Sequence, residues 1–164
     1  MDILVIGGSR GIGLQTVKWG LEQGHSVTAF ARNPAVIKFK HPKLRLKPGN
    51  VLDPMAVQRA LQGHDAVICA LGLPTLKAIG PPVTKRSYVL SKGTDNIVKA
   101  MASNGNKRFI CVTAIGAGDS AKLCTPFARL VLRLGLRWLF KEKDEQERLI
   151  KNSGLDWTII RPTA

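Results

Sequence analysis

Gly7-Gly8-Ser9-Arg10-Gly11-Ile12-Gly13 places four glycines in seven residues, directly after the apolar run Ile3-Leu4-Val5-Ile6. The absence of a Cβ matters differently at each. Gly7 lets the chain leave a strand in a tight turn. Gly11 lets the backbone lie against a pyrophosphate, and Gly13 lets the following helix sit close to the sheet. Free N–H groups at the helix start, with the helix dipole, favour a bound phosphate. Gly8, Ser9, Arg10 and Ile12 complete this candidate phosphate loop. The alternative is a structural turn. The position of the loop between a strand and a helix favours the ligand reading. Ser9 lacks a nucleophile elbow, so hydrolase chemistry is unsupported.

The second chemical signal lies at Ala31-Arg32-Asn33, after the strand pattern Ser26-Val27-Thr28-Ala29-Phe30. An NAD-preferring site usually places Asp or Glu there, to accept hydrogen bonds from the adenosine ribose. No acid is present. Arg32 suits a 2′-phosphate, because its guanidinium is planar, always charged and able to bind two oxygens. Arg10 is a second cation aimed at the same region. The alternative is two solvated surface arginines. The reading is NADP(H).

These residues need elements to hold them. Helical spacing of Leu14, Val17, Trp19 and Leu21 follows the glycine loop. A short alternating strand spans Lys43 to Lys47, and a helix from Asp53-Pro54 to about Leu61 follows, stopped by Gly63. Further strands are expected over Asp65 to Leu71, Lys107 to Thr113 and Asp156 to Arg161. Helices are expected over Lys85 to Asn104 and over Ala121 to Asn152, the latter broken near Gly135 or Lys141. Ala114 to Ser120 reads as a glycine-rich loop. Strands alternating with helices imply an α/β fold, a Rossmann-type doubly wound parallel sheet in three α/β/α layers. The expected strand order is 3-2-1-4-5-6, with the cofactor across the carboxyl ends of the strands.

The 164 residues suffice for one domain, and 1–164 is read as a single NAD(P)-binding domain. Hydrophobic content is 45% and mean hydropathy is near zero, as in a soluble globular chain. No apolar run is long enough to span a membrane. Met1-Asp2-Ile3 lacks a basic region, so no signal peptide is expected. Cys69, Cys111 and Cys124 are odd in number and lack metal spacing, which argues for reduced thiols in a cytoplasm. The net charge of +14 implies an anionic partner or simply solubility. His25, His41 and His64 lie in or beside turns, without metal spacing, and are read as surface residues.

Four stretches carry a family resemblance. They are the glycine loop, Gly49-Asn50-Val51-Leu52-Asp53, Gly93-Thr94-Asp95-Asn96-Ile97-Val98, and Lys143 through Glu147 to Ser153-Gly154-Leu155-Asp156-Trp157-Thr158-Ile159-Ile160-Arg161-Pro162. The chain resembles the atypical short-chain dehydrogenase/reductases across nearly its whole length. The group is the NAD(P)H-binding one that includes biliverdin-IX-beta (flavin) reductase and the NmrA-like proteins. The resemblance implies that Asn50 and Val51 border the adenine. It places Ala70, Leu71 and Gly72 along the cofactor's ribose and diphosphate, and Thr113 and Ala114 near the nicotinamide. Lys143 corresponds to the active-site lysine that holds the nicotinamide ribose; the alternative is a surface lysine.

Catalytic members of the family carry a Tyr four residues before that lysine, as a general acid beside a cation. This chain has Leu139 there. Tyr88-x-x-x-Lys92 precedes the fifth strand and is read as coincidental. Flavin-reductase-type relatives transfer hydride without the tyrosine, because the acceptor takes its proton from water. Relatives also continue beyond the sixth strand, so the resemblance implies either a further C-terminal extension after Ala164 or an open pocket.

Arg129, Arg133, Arg137 and Lys141 recur every four residues along a densely apolar segment. The stripe reads as a solvated helix face, as recognition of an anionic substrate, or as a membrane or nucleic-acid surface. Sparse aromatics and the lack of a nucleic-acid motif disfavour the last. The expected function is an NADPH-dependent oxidoreductase of flavin or quinone reductase type, acting on a small-molecule substrate as a monomer or homodimer. Thr113 and Lys143 would orient the nicotinamide. The alternative is a non-catalytic NADP-sensing regulator. A basic surface-binding module rests on charge alone.

Overall fold

A computed structural model of the chain describes residues 1–72, 88–106, 108–123 and 137–162. Apolar runs build strands β1 (Asp2–Ile6), β2 (Ser26–Ala31), β3 (Leu44–Pro48), β4 (Ala66–Cys69), β5 (Arg108–Val112) and β6 (Asp156–Ile160). Between them lie helices α1 (Gly11–Glu22), α2 (Pro54–Leu61), α3 (Val89–Asn104) and α4 (Arg137–Lys151). Short 3-10 turns occupy Pro34–Val36 and Gly118–Leu123. The six strands form one sheet in the order β3-β2-β1-β4-β5-β6, and every pairing is parallel. This is the expected Rossmann-type topology.

Alternation along β1 separates the two cores. Leu4 and Ile6 face one layer, where Phe30, Val67, Cys69, Phe109 and Cys111 meet α2, α3 and α4 through Val57, Leu61, Ile97, Met101 and Ile150. Val5 faces the other, with Val27 and Ala29 against Val17 and Leu21 of α1. Each such large side chain, fully buried, contributes about 1.5–3 kcal/mol. Asp53 caps α2 as expected, its Oδ1 accepting from the N–H groups of Met55 and Ala56 at 3.0 and 3.2 Å. Pro54 takes the first helical position.

The helix expected after the glycine loop is present, with Gly13, Val17, Gly20 and Leu21 on its inner face and Trp19 63% exposed. Several local expectations need correction. α4 runs unbroken through Lys141, and Ala121–Leu123 belong to the 3-10 turn. The expected break at Gly135, the helix start at Cys124, and Arg129 and Arg133 of the basic stripe lie outside the described residues. His64 is half-buried, and its Nε2 lies 2.8 Å from Thr28 Oγ1. Burial pulls its pKa down, so it is held neutral near pH 7. Among the described residues no helix is long and apolar enough to cross a membrane, and no cluster of His, Cys, Asp and Glu could hold a metal.

Candidate functional site

The strand ends line up along one edge of the sheet. Ile6 pairs with Phe30 and with Cys69, and Cys69 pairs with Cys111. The residues that follow these positions share that carboxyl edge, where an open α/β sheet binds its ligand.

Gly7 leaves β1 at φ +82°, and its N–H donates to the Phe30 carbonyl at 2.9 Å. A Cβ at this position would stand 2.7 Å from the Ala70 carbonyl oxygen. Gly8 is buried against Val17 and Ala29. A Cβ on Gly13 would run into the carbonyl oxygen of Gly7. Gly13 therefore lets the helix press onto the turn itself. Gly11 adopts φ +54°, and a Cβ there would meet nothing within 4 Å.

α1 begins at Gly11 with no side-chain cap and no acid in its first turn. Its leading N–H groups and positive dipole end thus suit the phosphates of a dinucleotide. Ser9 is half-buried; Arg10, Gly11 and Ile12 are exposed around the opening. Arg32 and Asn33 are exposed just past β2. The donor set and the cradle fit the group that the sequence implied.

The neighbouring loop is held by α3. Asn50 is exposed and folds back, its Oδ1 accepting from the Leu52 N–H at 3.1 Å. Val51 is buried, and its carbonyl accepts from Asn96 Nδ2 at 3.0 Å. A Cβ on Gly93 would lie 2.9 Å from Val51 Cγ1 and 3.3 Å from Leu71 Cδ1. Gly93 and Asn96 therefore set the position of Val51 and Leu71. Ala70 and Leu71 are half-buried and Gly72 is exposed beyond β4.

On the β5 side, Leu139, Lys143 and Glu147 follow one another at four-residue spacing along the buried face of α4, respectively 5%, 9% and 1% exposed. Lys143 is therefore no surface lysine. Burial lowers its pKa, opposed by the nearby charges of Cys111, Cys69 and Glu147. Thr113 is buried, and Ala114 beside it is half-buried. The Thr113 hydroxyl donates to Glu147 Oε1 at 2.8 Å, and its N–H donates to the Ile160 carbonyl at 2.8 Å. Arg161 meets the same carboxylate with Nε at 2.9 Å from Oε1 and an Nη at 2.6 Å from Oε2. Burial pushes the Glu147 carboxyl up, but the hydrogen bonds from Arg161 and Thr113 and the Arg161 charge hold it below its ordinary value. Asp119 accepts from Arg161 at 2.5 Å and from Lys151 at 3.3 Å, closing the network from outside.

The glycine loop, Val51, Ala70 to Gly72 and Thr113 thus share the carboxyl edge, and Lys143 reaches the β4–β5 end of it. Tyr88 is 48% exposed at the start of α3. Sequence reasoning assigned no role to Glu147 or Arg161, nor to the buried Glu142, whose Oε2 accepts from the Ser91 hydroxyl at 2.8 Å. The available signal was position. Each glutamate falls on the inward face of α4, where a charge must find a partner.

Comparisons with known proteins agree with this geometry. The photosystem II assembly factor Ycf39 of Synechocystis is 26% identical over 162 residues, covering 98% of this chain and 44% of that protein. The chain thus spans less than half of that relative's length. A solved Rossmann-fold NAD(P)-binding family protein from Shigella flexneri superposes with TM-score 0.67 at 26% identity, covering 99% of this chain and 66% of that one. ChuY, an anaerobillin reductase from Escherichia coli O157:H7, superposes with TM-score 0.75 at 22% identity, covering 99% and 72%. At that identity the likeness is one of fold. The model of the NAD(P)H-binding family matches residues 7–164, and the chain belongs to that family.

Proposed function

We propose that this chain is the NADPH-binding part of a reductase that passes hydride to a small, strongly electron-accepting molecule of flavin or quinone type. The observation that carries the reading is the pair Leu139 and Lys143, both buried at four-residue spacing on one face of α4. The lysine offers N–H donors to ribose oxygens. The leucine offers no proton. A site without a side-chain acid at that position suits an acceptor that takes hydride first and its proton from solvent. NADPH would supply the hydride, and the chain would supply position. Arg32, with Arg10, favours the 2′-phosphate over a bare ribose hydroxyl.

A second reading is a protein that binds NADP without turning it over. The same leucine supports it, as does the relative that is described as an assembly factor and not as an enzyme. One experiment orders the readings. NADPH and NADH are titrated against the parent chain, Arg32→Asp and Arg10→Ala, and the parent is then assayed for NADPH-dependent reduction of a quinone and of a free flavin. Tighter NADPH binding that Arg32→Asp abolishes supports the cofactor assignment. Turnover supports the reductase. Binding without turnover of either acceptor supports the sensor, and no binding of either nucleotide refutes both.

A further inference from the structure

The direction of one hydrogen bond limits what Thr113 can offer a ligand. Glu147 is 1% exposed, and both of its oxygens accept from Arg161. A guanidinium cannot accept a hydrogen bond, and an ionised carboxylate cannot donate one. The contact of 2.8 Å between Thr113 Oγ1 and Glu147 Oε1 therefore uses the hydroxyl proton of Thr113. Only the lone pairs of Oγ1 remain for anything bound at the carboxyl edge. Thr113 can accept; it cannot donate to a substrate carbonyl.

The arrangement of the site says what would donate to it. With phosphates at the start of α1 and the adenosine half beside Arg32 and Val51, the other half of a dinucleotide must lie over the ends of β4 and β5. Among the described residues, the side chains there include a donor-only group, Lys143, and a group confined to accepting, Thr113. The lysine matches hydroxyl oxygens. The acceptor matches the –NH2 of a carboxamide.

We propose that Thr113 accepts a hydrogen bond from the nicotinamide carboxamide amino group, and that Glu147 and Arg161 are positioning residues that fix Thr113 in this accepting state. The inference rests on the nucleotide-binding reading above. Two further features hold the device rigid. Gly118 leaves no room beside the carboxylate, since a Cβ there would stand 2.5 Å from Glu147 Oε2. Asp119 holds the outer side of Arg161 at 2.5 Å.

The test compares the affinity of NADP+ with that of its 3-acetylpyridine analogue, in which a methyl group replaces the amino group and everything else is shared. Dissociation constants are read by calorimetry on the parent, Thr113→Val, Thr113→Ser and Glu147→Gln. The parent should prefer NADP+ by about five- to tenfold, the value of one such hydrogen bond. Thr113→Val should bind both ligands equally, and Thr113→Ser should keep the preference. Glu147→Gln should weaken it, because the glutamine amide can donate to Thr113 and release its proton outward. General destabilisation moves both ligands alike and leaves their ratio intact. A parent ratio near one, or a ratio unchanged in Thr113→Val, overturns the contact. Equal loss of both ligands in Thr113→Val assigns Thr113 to the shared ribose and overturns it too. An unchanged ratio in a folded Glu147→Gln overturns the positioning role. A parent that binds neither ligand refutes the nucleotide reading itself, an outcome distinct from the others.

Discussion

Cys69 and Cys111 stand opposite each other in the register of β4 and β5, both fully buried. The neighbouring Cys111 side chain holds the Cys69 thiol below its ordinary pKa, while the Cys69 side chain and burial push Cys111 well above it. A lowered pKa usually marks a reactive thiol, but reaction also needs access. Neither sulfur has any. In a Cys124→Ser background, both thiols should therefore resist a maleimide in the folded protein and react together on unfolding in denaturant. Rapid labelling of Cys69 at neutral pH under native conditions would contradict this.

The glycines of the loop should separate by what their Cβ would meet. Gly7→Ala combines a left-handed φ with a Cβ 2.7 Å from a backbone oxygen, and should cost at least about 2 kcal/mol of stability. Gly11→Ala has the left-handed φ alone, and should cost about 1 kcal/mol. On the proposed reading its effect should appear in binding, because the new methyl group would stand where the phosphates are proposed to approach the start of α1. Urea denaturation and nucleotide titration of the two variants should thus rank them differently. Gly7→Ala should be the less stable, while Gly11→Ala stays folded and loses nucleotide affinity.

The buried carboxylate of Glu147 makes part of the acid limb of stability predictable. Its pKa in the folded chain is held below the value in the unfolded chain. The stabilisation is therefore fully present above the ordinary glutamate range and is lost as pH falls through the lower folded value. Glu147→Gln should flatten the fall in stability between pH 6 and the acid transition. Arg161→Met leaves the carboxylate buried without its main partner, and should cost about 3 kcal/mol at pH 7. Denaturation midpoints across that pH range give both readings.

Which of these features the sequence could reveal follows from the range of the interactions. The glycine loop, the Asp53 cap and the strand order are local or periodic patterns, and each is visible without the fold. The expectation of NADP(H) rests on Arg32 at the end of a strand, which is likewise a local pattern. The Thr113–Glu147–Arg161 network was not, because its members are 34 and 14 residues apart and meet only when α4 lies across the ends of β5 and β6. His64 misled for the same reason. Beside a turn in sequence, it lies against Thr28, 36 residues away.

Lys143 should trade stability against binding. Its ammonium is buried at 9% exposure, and desolvation lowers its pKa below that of a free lysine. The nearby Cys111, Cys69 and Glu147 oppose that shift, and burial outweighs them. A group whose folded pKa lies below its unfolded pKa costs stability wherever it is charged in the folded state, and the cost is relieved as pH rises through the folded value. Lys143→Met keeps the aliphatic volume and removes the charge. At pH 7 it should raise the melting temperature by about 2–4 °C, the equivalent of about 1 kcal/mol in a domain of this size. The gain should shrink toward pH 10. On the proposed reading, the same variant should bind NADPH at least about tenfold more weakly, because the proposed donors for the ribose hydroxyls would be gone. Scanning calorimetry with and without nucleotide reads both effects. A variant that loses stability, or that keeps its full affinity, would show that Lys143 is a structural cation and remove it from the site.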